Sequence, residues 1–439
     1  MADILIEPVT RIIGSARVRV ILNESNQPEG ARFQAFGYRG FEQFVVGSHV
    51  DNLLPIVSRI CGSDSVFHQI AAARAVEMCR GFTPPEGVLI LRKLAMYAQL
   101  FERHAISLTM HSLPDLLFPS SDPGVRNIIS IHRVDEEVAR RVLDLKSLGT
   151  AVLAEVAGGG VHAVNFVPGG VIRGVDEEVR KKLIGRLEQA KPLLLETGRL
   201  IKMLLRRNEE AVNNLGIKPT AYLAIKGEGG MALEGDRLTV IKEDGASQED
   251  LASGEIPERV EEIPKPHSHI KGVSLSRIGD IRVGALARLN VNRLYGTQMA
   301  DEELDEIKSM WGFPLHQSMI SHAARMVEMI NAWEKMMEIL REAPGEEVSS
   351  GLTISPGRGV GVVEGPEGTM IYDLVLDEEG RVRKLRITAP LQFNLPGLEG
   401  SLAEGAQNMF SGGELGERER NRLEMAVRAY APCTLCGVH

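Results

Sequence analysis

Three long stretches of helical periodicity leave this chain little choice of architecture. "PEGVLILRKLAMYAQLFERHAISLTMHSLPDLL" carries apolar residues at 3–4 spacing over roughly 25 residues, starting after Pro84–Pro85 and stopping at Pro114. "HRVDEEVARRVLDLKSLGTAVLAEVAG" and "DEEVRKKLIGRLEQAKPLLLETGRLIKMLLRRNEEAVNNLG" both open with acidic residues and end at Gly, which suits the helix dipole and helix capping. Helical spacing resumes in "DEELDEIKSMWGFPLHQSMISHAARMVEMINAWEKMMEILREAP". Helices this long are too extensive to close off as separate small domains. The expectation is a single α+β, mainly helical unit over residues 1–439, with a long-helix core and peripheral β-sheets and hairpins.

The strand signals lie around that core. Residues 1–48 read as β-rich: "ARVRVILN" alternates apolar and polar, the mark of a half-buried strand, and helical spacing begins near His49. The polar, Gly- and acid-rich stretch 226–265 reads as a surface insertion with short strands. "GTMIYDLVLDEEGRVRKLRITAP" reads as a hairpin turning at "DEEG". A last helix, "LGERERNRLEMAVRAYAPC", breaks at Pro432.

Composition excludes some functions. The 439 residues are 44% hydrophobic and 25% charged, ordinary for a globular protein. A net charge of −9 disfavours nucleic acid or an anionic membrane as main partner. "MADILIEPVTRIIG" lacks the basic and apolar regions of a signal peptide. No uncharged apolar run approaches the ~18 residues of a membrane span. Four cysteines make no disulfide framework and fit a reduced, cytoplasmic setting. They are also too few for a ladder of iron–sulfur clusters, which take four thiolates each.

The cysteines nonetheless sit suggestively. In "RICGSDSVFH", Cys61, Asp64 and His68 fall at i, i+3 and i+7, one face of a helix. At the other end "APCTLCGVH" gives Cys433, Cys436 and His439, where C-x2-C is a tight two-thiolate grip. Plainer readings exist for each. Cys79 reads as a small buried hydrophobe, Asp64 as a helix N-cap or surface carboxylate, and His68 as a satisfied core histidine. Glu42 reads as a solvated strand residue and Asp115 as part of a helix stop. The terminal pair could be half of a zinc site, but no second C-x2-C closes it.

Taken together these motifs resemble the large subunit of [NiFe]-hydrogenases, closest to the cytosolic, cofactor-coupled branch. "EPVTRIIGSARV" is similar to that family's opening "EPxTRIEGHxxx", "YRGFEQFVVG" to its "RGxE", and "RICGSDSVFHQIAAARAVE" to its "RxCGxCxxxHxxAAxxAxE". "HAISLTMHSLPDLL", "GGGVHAVNFVPGGV" and "LQFNLPGLEG" follow in order, and "VRAYAPCTLCGVH" is similar to "VRAxDPCxxCxxH". Ending at that His suits a mature form of the family. The resemblance implies a Ni-Fe centre with CO and cyanide on iron, held by four thiolates. Cys61 and Cys433 match the thiolates terminal on nickel, Cys436 matches a bridging one, and Asp64 stands where the other bridge is expected. Glu42 and His439 match ligands of a buried Mg2+. His68 matches a histidine beside a bridging thiolate, and Asp115 a carboxylate near the iron.

Other positions depart from the family. Ile13 replaces the Glu that accepts protons from a terminal thiolate, Ser15 replaces a His, and Ala431 replaces the Asp before the terminal Pro-Cys. Glu367 in "EGPEGTMIYDL" stands where a guanidinium normally overhangs the open metal position; Arg358 is a conceivable displaced substitute. The reading is a hydrogenase-type large subunit interconverting H2 with protons and electrons. Cys433 or Cys61 is the thiolate base, and Asp64 or Glu367 a substitute proton acceptor. Electrons would pass to an iron–sulfur small subunit and on to a flavin or nicotinamide module, the clusters lying only in partner subunits. The alternative is a hydrogenase-derived subunit with an altered or absent metal centre, kept for assembly, electron transfer or another substrate.

Overall fold

Four long helices form the centre of the computed structural model, which describes residues 3–217, 219–342, 355–410 and 415–439. Glu86–Ala105 packs on Glu136–Val156 and on Ser321–Glu342, and both of these pack on the 31-residue Glu177–Arg207. Asp135 and Asp176 cap two of the four, their carboxylates accepting from Val138 N and Val179 N. The stretch from Asp176 starts where expected, whereas the one from His132 starts only at Glu136, because Ile128–Val134 form a short helix of their own ahead of the Asp135 cap.

Pro114 does not stop the first pattern. Glu86–Ala105 runs into a π-helical segment, Ile106–Ser112, and then a further α-turn, Leu113–Leu117, with Pro114 in its first turn. The widened π turn changes the hydrogen-bond register, so the missing proline N–H falls where a helix start has no partner anyway.

Among the described residues, three sheets of three or four strands and two two-stranded ones flank the helices. Ile4–Ile6, Arg17–Leu22 and Pro28–Gln34 form an antiparallel meander at the N-terminus, where alternation predicted strands. The 226–265 stretch contributes Arg237–Ile241 and Gln248–Ala252 to a four-stranded sheet with Ala221–Ile225 and Ile281–Arg282. That sheet has a hydrophobic core of its own, including Leu223, Leu238, Val273 and Phe393. The expected hairpin, Gly368–Leu376 with Val382–Thr388, turns at Asp377–Gly380. It gains a third strand, Gly357–Gly365, joined by a tight turn at Pro366–Glu367.

That third strand carries the packing that matters for the site. Helix Ser65–Met78 lies directly on it: a Cβ on Gly361 would stand 1.9 Å from the Ala71 carbonyl oxygen, and one on Gly359 1.9 Å from that of Ala75. Only glycine permits this approach, and the alanine-rich helix face, Ala71 to Ala75, is its counterpart. The contact fixes His68 on the helix against Tyr372 on the neighbouring strand.

The two chain ends meet beside this contact. Ile13 and Cys433 form a parallel bridge, and the Ile13 carbonyl accepts from Thr434 N at 3.0 Å. Gly14, at φ +85°, leaves no room for a Cβ, which would fall 2.0 Å from Thr434 Oγ1. Ala431 ends helix Glu417–Tyr430 in the left-handed region (φ 47°, ψ 53°), a conformation that Asn and Asp tolerate better than Ala.

Candidate metal centre

Cys61, Asp64, Cys433 and Cys436 converge. Their ligand atoms all lie within 4.8 Å of one another. Cys433 Sγ is 3.3 Å from Cys61 Sγ and 3.0 Å from Cys436 Sγ, and Cys436 Sγ is 3.2 Å from Asp64 Oδ2. All four residues are at most 2% exposed, and the cysteines are free thiols. The S–S separations are far beyond the ~2.05 Å of a disulfide. They do match two thiolates on one ion: with metal–sulfur bonds of about 2.3 Å at a right angle, the sulfurs stand about 3.3 Å apart.

The backbone that delivers these donors differs from a single helix face. Cys61 has extended backbone (φ −149°, ψ 128°) ahead of a 3-10 turn, Gly62–Asp64, and only His68 lies within helix Ser65–Met78. Asp64 occupies the N-cap position of that helix, but its side chain caps nothing. One carboxylate oxygen instead faces Cys436, and the other, Oδ1, is buried with no N–H or O–H donor in reach among the described residues, the Glu367 carboxyl lying beside the group. Cys433 lies in extended backbone after Pro432, and its sulfur accepts from Cys436 N at 3.4 Å.

The electrostatics call for a cation. The Cys61 thiol is held well below its ordinary range, first by the Cys433 and Cys436 thiols that donate to it. Burial pushes Cys433 and Cys436 well up. Asp64 is pushed well above the usual carboxylate range, first by burial and then by the Glu367 carboxyl beside it. Four buried acids cannot all ionise unaided, whereas a bound metal ion ionises coordinating thiols outright. Three sulfurs and a carboxylate oxygen brought together in a buried cluster are what a metal-binding set looks like; the donors fit such a group.

Around the donors, His68 Nε2 lies 3.4 Å from Cys436 Sγ and its Nδ1 2.7 Å from the Tyr372 hydroxyl. Burial lowers the His68 pKa to about 3, so the ring is neutral at pH 7. Tyr372, raised well above its usual range by burial, keeps its O–H and shares a hydrogen bond with Nδ1, while Nε2 faces the Cys436 sulfur. Arg39 straps the assembly: its N–H donates to the Val438 carbonyl at 3.0 Å and its guanidinium to the Arg59 and Ile60 carbonyls. Glu42 Oε1 stands 3.5 Å from His439 Nε2 and accepts from Ile387 N at 2.7 Å. Burial raises the Glu42 pKa, but His439 and the Ile387 amide outweigh it and the net shift is downward.

The remaining candidates separate. Glu367, in its buried turn, lines a cavity of about 10 Å3 together with Asp64, Asn394, Tyr430, Cys433 and Cys436. Arg358 is no substitute guanidinium; it lies half out in solvent, paired with Asp373 and Glu258. Asp115 is not among the donors. Its carboxylate is taken up by Arg11, Arg126 and Arg428, with Glu424 closing the cluster, so it anchors the N-terminal segment to helix Glu417–Tyr430. Cys79 is apart from the site, its thiol raised to about 11 by burial, as a packing residue should be. Sequence reasoning missed Arg103. This guanidinium from helix Glu86–Ala105 is 1% exposed, and its Nε donates to Glu367 Oε1 at 2.6 Å.

A pH prediction arises from two imidazoles behind the site. His104 is lowered to about 4 and His111 to about 3, in both cases first by burial, although Glu328 opposes the shift at His104. Both stay neutral in the fold, while the unfolded chain protonates them near pH 6.5. The unfolded state therefore binds more protons below that pH, and stability falls as pH drops from 6.5. Each site costs about 2 kcal/mol between pH 6.5 and 5. Thermal unfolding should come at least about 4 °C earlier at pH 5 than at pH 7. A flat profile over that interval would contradict neutral burial.

Comparison with known proteins fits this geometry. Residues 3–36 match a family described as HoxL-like, and residues 39–113 one described as nickel-dependent hydrogenase. One of the subunits of the F420-non-reducing hydrogenase vhu of Methanocaldococcus jannaschii is 30% identical, over 93% of this chain and all of that protein. The chain belongs to the nickel-dependent hydrogenase large subunits. Other hydrogenase subunits align along nearly the whole length. The beta subunit of the NAD-reducing hydrogenase HoxS of Cupriavidus necator is 26% identical over 99% of this chain and 94% of its own length. An NAD+-reducing [NiFe]-hydrogenase in its H2-reduced state superposes with a TM-score of 0.95 at 26% identity, both chains fully covered. The Ni-Fe-Se hydrogenase of Desulfovibrio vulgaris Hildenborough shares the fold, with a TM-score of 0.82 at 18% identity. No helix among the described residues of this hydrogenase-family chain is long and apolar enough to cross a membrane.

Proposed function

We propose that this chain is the metal-bearing subunit of a hydrogenase complex, interconverting H2 with protons and electrons. One observation carries the reading: four buried donors from opposite ends of the sequence, Cys61, Asp64, Cys433 and Cys436, meet within 4.8 Å. The three sulfurs and Asp64 Oδ2 would hold the Ni-Fe centre with its CO and cyanide. Asp64 brings a hard oxygen to a site otherwise made of soft sulfur. When bound, that centre supplies the place where H2 is split heterolytically and two electrons are held.

The chain's own residues orient the site and move the proton. His68 sets its Nε2 against the Cys436 sulfur and is held at Nδ1 by Tyr372. Ile13 has no titratable atom, so its position cannot take a proton from Cys433. Asp64 and Glu367, on the cavity beside Cys433, are the carboxyl groups in reach to do so. Asp115 acts through Arg11 and Arg428, positioning the segment that bridges to Cys433. Glu42 and His439 would share a Mg2+: two octahedral ligands at about 2.1 Å stand about 3 Å apart, close to their 3.5 Å separation.

Three of the four cysteines are in the site, so electrons leave through an iron–sulfur small subunit and a flavin or nicotinamide module in the cytoplasm. The NAD-reducing relative supports that choice of partners. The alternative, an assembly subunit without metal, gives no reason for three buried thiols from opposite ends of the sequence to meet at one carboxylate. Metal analysis, infrared spectroscopy in the CO and cyanide region, and H2-dependent dye reduction on the purified complex test the reading. Nickel and iron in equal amounts, with the bands and turnover, are expected; absence of nickel and bands sinks it.

A further inference from the structure

Arg103 has a hydrogen-bonding surplus that the protein does not absorb. Its Nε is bound to Glu367, but Nη1 and Nη2 are buried without partners among the described residues. A buried charged donor left unmade costs more than most interactions contribute, so such a pair of amines marks a missing acceptor. Glu367, which holds Nε, lines the same buried cavity as Asp64, Cys433 and Cys436, so the guanidinium is tied to the wall of the metal-binding cluster. Those acidic neighbours also raise the Arg103 pKa against the burial that would lower it. Glu367 fixes the guanidinium through Nε and leaves the two terminal amines free as a planar fork, a geometry suited to small lone-pair-bearing groups.

We infer that Arg103 is the guanidinium of the metal site, donating from Nη1 and Nη2 to small anionic or polar diatomic ligands carried by the centre. The charge expected on the hairpin turn is thus delivered from helix Glu86–Ala105, and Glu367 serves as its anchor. The inference rests on the proposed metal site.

Azide is the probe, titrated into the metal-loaded complex and followed by its own infrared stretch. E367Q is compared with the double variant R103M/E367Q, which buries a matched neutral pair and so spares the fold. Equal nickel and iron are expected in both. The double variant should bind azide at least about 10-fold more weakly than E367Q and shift the CO and cyanide bands, through loss of charge-assisted donors. R103K/E367Q, which keeps the charge but not the fork, should fall between E367Q and R103M/E367Q. If R103M/E367Q loads metal and matches E367Q in azide affinity and band positions, Arg103 is only an ion-pair partner and the inference is overturned. A wild-type complex without nickel or bands would instead overturn the metal reading, and this inference with it.

Discussion

Replacing Cys433 with serine is expected to empty the metal site while leaving the fold intact. Cys433 is the middle sulfur, 3.3 Å from Cys61 and 3.0 Å from Cys436, so an ion shared by the sulfurs of the two chain ends sits against it. Serine keeps the volume but offers a hydroxyl that stays protonated at neutral pH and is hard where the site is soft. A four-ligand thiolate and imidazole site typically contributes about 10–16 kcal/mol of binding, or about 2.5–4 kcal/mol per ligand. Losing one should therefore weaken metal retention by about 100- to 1,000-fold. Nickel in purified C433S should fall below detection after chelator treatment, and H2-dependent dye reduction should fall with it. The fold should survive, because the segment around Cys433 is held independently through Ile13, Thr434 and the Asp115 arginine cluster. Metal content equal to wild type, or a large loss of thermal stability with metal retained, would make Cys433 a structural thiol.

How much of this was legible beforehand depended on the kind of signal. The long helices and the N-terminal meander were readable because caps at Asp135 and Asp176 and alternation in "ARVRVILN" are local. The strand Gly357–Gly365 was not, because its glycines weaken any strand pattern and exist only for the approach of Ala71 and Ala75. Cys61, Cys433, Cys436 and Asp64 could be joined through the resemblance, but nothing in the spacing of residues 61 and 433 says that they touch. Arg103 was invisible for another reason. Arginine is normally a surface residue, yet Arg92, Arg103, Arg126, Arg288 and Arg428 are here among the largest fully buried side chains. Their partners, such as Glu77 for Arg92, Glu328 and Glu364 for Arg288, and Asp115 for Arg428, come from other elements. A charge swapped between helix and hairpin leaves no mark on either segment alone.

Asp64 separates a ligand from a proton carrier, and two substitutions with opposite chemistry should decide which it is. D64C restores the soft donor expected there, and D64N keeps the shape while removing the charge. With Oδ2 3.2 Å from Cys436 Sγ, the carboxylate faces the cluster of sulfurs. A cysteine sulfur at this position would sit slightly nearer the backbone, with the small cavity beside it to relax into. D64C should hold nickel against a chelator at least about 10-fold more tightly than wild type, since thiolate suits low-valent nickel better than carboxylate. D64N, a neutral and weaker donor, should lose metal by about 100-fold, on the same per-ligand scale as C433S. Turnover separates the roles further. If Asp64 is only a ligand, D64C retains H2-dependent dye reduction with Glu367 as the remaining carboxyl beside Cys433. If Asp64 also carries the proton, D64C keeps nickel and iron but slows by about 100-fold or more, within the range of general acid–base catalysis. A D64N protein that keeps wild-type nickel would remove Asp64 from the ligand set altogether.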